Sequence, residues 1–364
     1  MRYGEFTVGV EEEFQLIDPD DGALRGRAPE LLKDGWPAKE EFQRTAIEID
    51  TPVCTTAGEA GRRLVARRRA LARLAASKGL AIAAAGLHPV GPYPSAQVSD
   101  VPDYRRIADL GGASARELHI FGLHVHVGVQ SREAAIRAMC GVAPYLPHLL
   151  ALSVSSPFYQ AQDTSFDSFR TLLRDMAPRV GLPMPVVSAA EYDRMEAILA
   201  GGAPDPRHNP PIAWDVRPSL RYPTLEFRLF DAVPWIDTIE LIVAMARALT
   251  LMYADRPPPY RTGTELQLMR DNRWRAARFG LDATFFRLDP VTGEVRSARD
   301  SILALVDRLA PIAERLGDGE ALGRIDAILA RGTAAAAMRA AYEKDHALPD
   351  VTRWVVAETE ATIA

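Results

Sequence analysis

Three segments of the chain place charged or imidazole side chains two residues apart inside an apolar alternation: Glu11 and Glu13, His124 and His126, Glu226 and Arg228. Strand side chains alternate between faces with period two, so each pair projects from one face. At the first, Phe6, Val8, Val10, Phe14 and Leu16 share one parity, and Thr7, Gly9, Glu11, Glu13 and Gln15 share the other. At the second, Phe121, Leu123, Val125, Val127 and Val129 oppose Gly122, His124, His126 and Gly128; at the third, Leu225, Phe227 and Leu229 oppose Glu226 and Arg228. Like charges side by side on a sheet repel, and a charge leaves water only when it is paired. Such a chain must build a sheet with one face to cover and one face to neutralise, and a divalent metal neutralises it most economically.

With 364 residues and 48% hydrophobic content the chain can bury a large core, as one large domain or two smaller ones. A net charge of -5 gives no electrostatic case for nucleic acid. Lysine occurs only at positions 33, 39, 78 and 344, which restricts any catalytic lysine to those sites. Cys54 and Cys140 have neither metal-ligand spacing nor a disulfide pattern and no neighbouring histidine, so reduced, buried thiols and a cytoplasmic location are expected. The first strand begins too early to leave room for a signal peptide, and Leu241 to Tyr253 is short and interrupted by Arg247, so no membrane span is expected.

Alternation and turn residues predict strands at 6–17, 42–50, 80–85, 120–129, 212–217 and 222–230. Leu64, Leu71 and Leu74 predict a helix from Ala57 to Ser77, stopped by Gly79. Ser131 is the expected N-cap of a helix running toward Val154, kinked or split by Pro144 and Pro147. The proline- and tyrosine-bearing stretch 90–104 reads as an ordered loop near a site, and Ala203 to Pro211 as a second irregular region. From about 236 the pattern is mostly helical, at 236–254, 262–279, 300–316, 319–331, 333–343 and 350–361, interrupted by a hairpin at Thr284 to Arg296. No period of 20 to 50 residues repeats. The expected fold is α+β, an antiparallel sheet with helices packed on its apolar face.

Glu11, Glu13, Glu48 and Glu226 would join His124 on the polar face, and this oxygen-rich set favours magnesium or manganese. The His124-x-His126 strand also permits a zinc site and hence a zinc-dependent hydrolase, although the other histidines show no supporting spacing. Arg217, Arg221 and Arg228 fall within twelve residues; guanidinium forks beside metal-binding carboxylates are what phosphoryl transfer from a polyphosphate requires. Neither a Gly-x-x-x-x-Gly-Lys-Ser/Thr loop nor Gly-x-Gly-x-x-Gly occurs, so a bound ATP would lie across a sheet. Arg170, closing a polar and aromatic block that starts at Ser155, can pair with the carboxylate of a small zwitterion.

Val8-Gly9-Val10-Glu11-Glu12-Glu13-Phe14, Glu48-Ile49-Asp50-Thr51-Pro52-Val53-Cys54, His124-Val125-His126-Val127-Gly128, Trp214-Asp215-Val216-Arg217-Pro218-Ser219 and Leu225-Glu226-Phe227-Arg228 resemble, in order, motifs of the glutamate-cysteine ligase type 2 (carboxylate-amine ligase) family. A more distant likeness is to the catalytic domain of glutamine synthetases. The resemblance implies one glutamine synthetase-like catalytic domain over residues 1–364 with a helical part from about 236. It implies an enzyme that phosphorylates a carboxylate, typically of glutamate, with ATP and magnesium, and lets an amine such as cysteine attack the acyl phosphate. Carried over by motif, Glu11, Glu13, Glu48, His124 and Glu226 resemble metal ligands, Arg217 and Arg228 resemble phosphate contacts, and His126 resembles a substrate contact; Arg228 and Glu48 would stand closest to the chemistry, and Arg221 and Arg170 join the phosphate and substrate contacts on the reading of the residues above. A homodimer acting on an amino acid and an amine is also implied. Leu123, Ala161 and Ser165 depart from the family pattern, all near the implied amino-acid pocket.

Overall fold

The computed structural model describes residues 6–33, 38–91, 97–116, 118–201, 212–288 and 290–363. The first apolar alternation becomes β1 (Val8–Ile17), the axis of a seven-stranded sheet. It is followed by α1 (Ala28–Leu32), β2 (Lys39–Glu40), β3 (Ala46–Asp50), α2 (Ala57–Ser77) and β4 (Ala81–Ala83). Next come α3 (Pro102–Arg116), β5 (Gly122–Gly128), α4 (Arg132–Val142) and α5 (Leu146–Ser153). The middle of the chain carries a ribbon of β6 (Phe158–Tyr159) and β7 (Gln162–Asp163), then α6 (Phe169–Arg174), β8 (Val180–Gly181), α7 (Ala189–Gly201) and β9 (Ala213–Trp214). The chain returns to the main sheet as β10 (Val216–Pro218) and β11 (Thr224–Asp231).

The C-terminal part is helical, as expected. It comprises α8 (Ile236–Ala254), α9 (Gly263–Phe279), the hairpin β12 (Thr284–Phe286) and β13 (Val295–Ser297), then α10 (Ala298–Leu316), α11 (Gly319–Leu322), α12 (Ile325–Arg331), α13 (Ala334–Asp345) and α14 (Leu348–Ala361). The single helix expected over 319–331 is broken between Leu322 and Ile325, where Gly323 is a poor helix residue.

The sheet order is β10-β11-β5-β1-β3-β2, with β4 also paired to β1, and every pairing is antiparallel. The apolar parity of β1, β5 and β11 meets α2, α4, α5 and α8 in one core, where Val10, Val125 and Phe227 pack among Leu64, Met139, Leu149 and Leu249. A second core joins Phe14, Leu16, Ile47 and Ile82 to α2 and α14. Ser131 caps α4 by accepting from the Ala134 amide, and the expected split at Pro144 is a 3-10 turn between α4 and α5. The stretch Arg132–Ser153 is apolar and long enough to cross a membrane, yet 89% of it is buried inside the fold, so it is a core element.

Three features depart from the expectation. Glu12, in the apolar parity of β1, is buried on the helical face, where Arg68 of α2 grips both its carboxylate oxygens at 3.0 and 2.5 Å. The segment expected as loop to residue 104 turns helical at α3, because Pro102 sits in the first turn, where its missing N–H costs nothing. Residues 92–96 of that loop, and Ala203 to Pro211, lie outside the described residues. Finally, α3 and α6 stand beside the polar face, so the helical layer on the apolar face is not the whole helical complement.

Candidate active site

Strand register lays the charged side chains in three rows across the polar face. Arg217 of β10 stands opposite Glu226 of β11, and Glu226 opposite His126 of β5. In the next row His124 faces Glu11 of β1, which faces Asp50 of β3. In the third, Glu13 faces Glu48, and Glu48 faces Lys39 of β2. Residues as far apart in sequence as Glu11 and Glu226 thus become neighbours because β1 pairs with both β3 and β5, and β5 with β11. The register of β11 shifts between Phe227 and Phe230, and the Arg228 amide donates to the Asp215 carbonyl at 2.7 Å.

Among the described residues, two groups of possible metal donors result. Glu11, His126 and Glu226 bring one atom each within 4.8 Å of one another, and so do Glu13, Glu41 and Glu48. His126 Nδ1 is held by Thr224 Oγ1 at 2.9 Å, and its buried Nε2 makes no hydrogen bond and lies 3.5 Å from Glu11 Oε2. An outer hydrogen bond of this kind fixes ring orientation and leaves the other nitrogen for a ligand. His124 lies between the groups, with Nδ1 at 3.2 Å from Glu11 and Nε2 at 3.8 Å from Glu13. The geometry therefore gathers His126, rather than His124, with Glu11 and Glu226. Glu41 was absent from the sequence reading; it sits in a charged run before β3, outside any alternation, and only the fold brings it to Glu13.

The charge state of the site follows from its neighbours. Burial opposes ionisation of Glu11, but the His124 and His126 imidazoles beside it hold its carboxyl well below the usual range. Burial likewise works against Glu226, yet Arg228 and Arg217 hold it well below. Arg217 Nε donates to Glu226 at 2.9 Å, and Arg228 pairs with the same carboxylate. Glu41 moves the other way: burial, with Glu13 and Glu48 beside it, pushes its carboxyl well above the usual range. The Lys39 ammonium reaches Glu48 at 2.8 Å, Asp50 at 3.0 Å and Glu11 at 3.9 Å. It is a protein cation sitting where carboxylates crowd, and it shows that this ridge attracts positive charge. The donor set, carboxylate oxygens with one or two imidazoles, fits magnesium or manganese better than tetrahedral zinc.

Beside the acidic ridge, on the same face of the sheet, stands a group of arginines. Arg170 of α6 is 2% exposed, donates to the Leu229 carbonyl at 3.4 Å and lies 3.9 Å from Asp231. Its buried Nε makes no hydrogen bond. Asp231 is itself fixed by the Ser155 amide at 2.9 Å and the Ser156 and Ser168 hydroxyls at 2.7 and 2.9 Å. Gly122 is what lets Arg170 approach the sheet: a Cβ there would lie 2.2 Å from Arg170 Nη2. Arg174, one helical turn on, pairs with Asp215 at 3.1 Å, and burial pulls its guanidinium down to about 9. Arg174, Asp215 and Asp231 carry no periodic signal and were not singled out as site residues. Arg221 is exposed on the β10–β11 turn and forms no ion pair among the described residues. A cavity of about 320 Å³ opens over these groups, lined by Glu13, Glu41 and His124 as well as Arg170, Arg174, Arg217 and Arg228.

Carboxylates able to hold divalent cations, beside arginines able to hold phosphate, supply what is needed to activate a carboxylate with ATP and pass it to an amine; this class is the ATP-dependent amide-forming ligases. Within it, the chain belongs to the family described as glutamate-cysteine ligase family 2, whose sequence profile matches residues 7–355. A Rhodospirillum rubrum protein provisionally named glutamate–cysteine ligase 2 is 36% identical over 384 residues, covering 100% of this chain and 98% of its own. Among solved structures, the glutamate–cysteine ligase of Francisella tularensis in complex with AMP superposes with a TM-score of 0.69 at 13% identity, covering 99% of this chain and 90% of that one. The bifunctional glutathione synthetase of Pasteurella multocida gives 0.71 at 16% identity, covering 98% of this chain and 52% of that one. The expected fold class is the observed one, and neither the relatives nor the donor set supports a zinc hydrolase.

Proposed function

We propose that this ligase joins the side-chain carboxylate of glutamate, or a close analogue, to an amine, using ATP with magnesium and passing through an acyl phosphate. One observation carries the reading: Glu226 sits between Arg217 and Arg228 while two groups of carboxylates crowd the adjoining rows. Glu11, His126 and Glu226, with His124 beside them, would hold one cation, and Glu13, Glu48 and Glu41 another. When bound, such cations neutralise phosphate charge.

The chain's own residues do the rest. Arg217 and Arg228 orient and neutralise the transferred phosphoryl group, and Arg170, with its free Nε, holds a carboxylate of the donor beside Gly122. Asp231 and its serines keep Arg170 in place. The cavity walls exclude water from the acyl phosphate, which would otherwise hydrolyse. Because arginines and positioning suffice, no covalent enzyme nucleophile is required. The two buried free thiols, Cys54 and Cys140, fit a reducing cytoplasm, and a homodimer is carried as part of the same proposal on the family resemblance.

The test is incubation with ATP, magnesium and pooled amino acids and amines. ADP release that requires both a carboxylate donor and an amine is expected. Folded protein that releases no ADP with any mixture would overturn the proposal.

A further inference from the structure

The cavity at the acidic ridge is chemically two-sided. Its floor carries Glu13, Glu41, His124 and the arginines, whereas its far wall is apolar: Phe42, Ile107, Leu110, Ile120, Phe121 and Val180. Three of the wall's side chains, Tyr104, Ile107 and Leu110, follow one another at three-residue spacing along α3, and none belongs to either hydrophobic core. A helix stripe of this kind normally faces the core. This one faces the cavity.

A second observation comes from Gln43. It is 3% exposed, lines the same cavity, and both ends of its side-chain amide lack a hydrogen-bond partner. Buried amides are almost always satisfied, so an orphaned donor and acceptor at a cavity wall points to a ligand group that both donates and accepts. Edge-to-face packing of Phe42 on Tyr104, with centroids 5.9 Å apart, gives the wall aromatic surface.

We infer that this chamber receives the acceptor amine, and that the acceptor carries an aromatic or branched apolar body with a small polar group at its far end, rather than the short side chain of cysteine. The inference rests on the ligase reading above. Of the two donor groups, Glu11, His126 and Glu226 are absent from the cavity lining, whereas Glu13 and Glu41 line its floor with Arg217 and Arg228, so the phosphates meet the chamber at this floor and its apolar wall is left to the acceptor. An amine in the chamber lies beside Glu13 and Glu41, next to Arg170 where the donor is held. In the acyl transfer its nitrogen forms the new C–N bond, the acyl C–O bond to phosphate breaks, phosphate leaves with that electron pair, and the amine gives up one proton to water.

Hydroxylamine separates the two readings, since it attacks an acyl phosphate without filling the chamber. With L-glutamate, ATP and magnesium, hydroxylamine should yield ADP and a hydroxamate. Phenethylamine and tyramine should then exceed L-cysteine at least tenfold in kcat/KM, and tyramine should exceed phenethylamine. Leu110→Asp and Ile107→Asp should each lower the ratio of phenethylamine to hydroxylamine turnover at least tenfold, a ratio in which any loss of folded protein cancels. Gln43→Leu should remove the preference for tyramine. Hydroxamate formed from hydroxylamine, together with a kcat/KM for L-cysteine equal to or above those of the aromatic amines, would overturn the chamber assignment and leave the ligase reading intact. A raised KM for ATP with an unchanged ratio in Leu110→Asp would place the nucleotide base in the chamber and also overturn it. Folded protein that forms no hydroxamate would overturn both.

Discussion

Glu12 lies between Glu11 and Glu13 on one strand, yet its surroundings are the opposite of theirs. On the helical face, Glu12 is fully buried with Arg68, whose remaining donors reach the Val233 and Pro234 carbonyls at 2.8 and 2.5 Å. Nothing there is left for a ligand. On the polar face, Glu13 stands opposite Glu48 and within 4.8 Å of Glu41, and the nearby protein cations are half-exposed Lys39 and the arginines on the same cavity floor. A structural charge is closed by the protein. A functional one is left partly open, and stability is given up at that place.

The largest effect expected from breaking this contrast is on the closed side. Arg68→Ala strands Glu12 in the core and should lower unfolding free energy by about 3–5 kcal/mol. Urea denaturation measures it, and a loss below about 1 kcal/mol would mean that the pair is no tighter than a surface bridge. On the open side the same kind of charge removal should do the reverse. Glu13→Gln should lower ADP release by roughly 10²–10³-fold while leaving the metal-free protein as stable as before or more so, by relief of repulsion from Glu48. A variant that unfolds would show Glu13 to be structural, as Glu12 is.

Gly122→Ala tests the arginine group without touching a charge. Its methyl group would displace Arg170, and misplacing a positioning group costs about ten- to a hundredfold. The expected result is a higher KM for the carboxylate donor with little change for ATP. Equal effects on both would indicate a general distortion of β5.

A smaller effect concerns protons. Glu41 in the folded protein has its carboxyl well above the ordinary value of 4.5 because of burial, Glu13 and Glu48. The folded state then keeps a proton that the unfolded chain has lost, so this group's contribution falls as pH rises from the ordinary carboxylate value through the raised one. Glu41→Gln should therefore be more stable than the parent at neutral pH in the absence of metal, and the two should converge in acid. Magnesium should narrow the gap. Parallel stability curves for the two proteins across pH 4 to 8 would show that Glu41 does not titrate in this way.

The contrast also explains what was legible beforehand. Alternation at β1, β5 and β11 announced both the sheet and its charged face, because period two is a local property of the chain. Helices α2 and α8 match their expected spans, 57–77 and 236–254, because each has apolar periodicity with clear ends. Glu41, Arg174 and Asp231 were not legible, since each reaches the site through tertiary placement: a segment before an edge strand, a short helix, and the end of a strand. The loop expected over 90–104 overruns the start of α3, because Pro102 reads as a breaker although it lies in the helix's first turn, and 105–116 has no expected element. Glu12 was passed over because a charge in an apolar parity looks like an error until Arg68 is found 56 residues away.

The arginines offer the finest version of the comparison. Arg217 and Arg228 are tied to Glu226 within the buried rows, whereas Arg221, grouped with them by sequence proximity, is exposed on the turn. A charge in water is screened and is worth at most about 1 kcal/mol to a partner, while one held in a buried row is screened far less. Arg228→Ala should cut ADP release by about 10²-fold, and Arg221→Ala should change the KM for ATP by less than about threefold. If Arg221→Ala instead matches Arg228→Ala, the β10–β11 turn must close over the nucleotide, and the open face of the sheet would then be covered during turnover as the helical face is covered at rest.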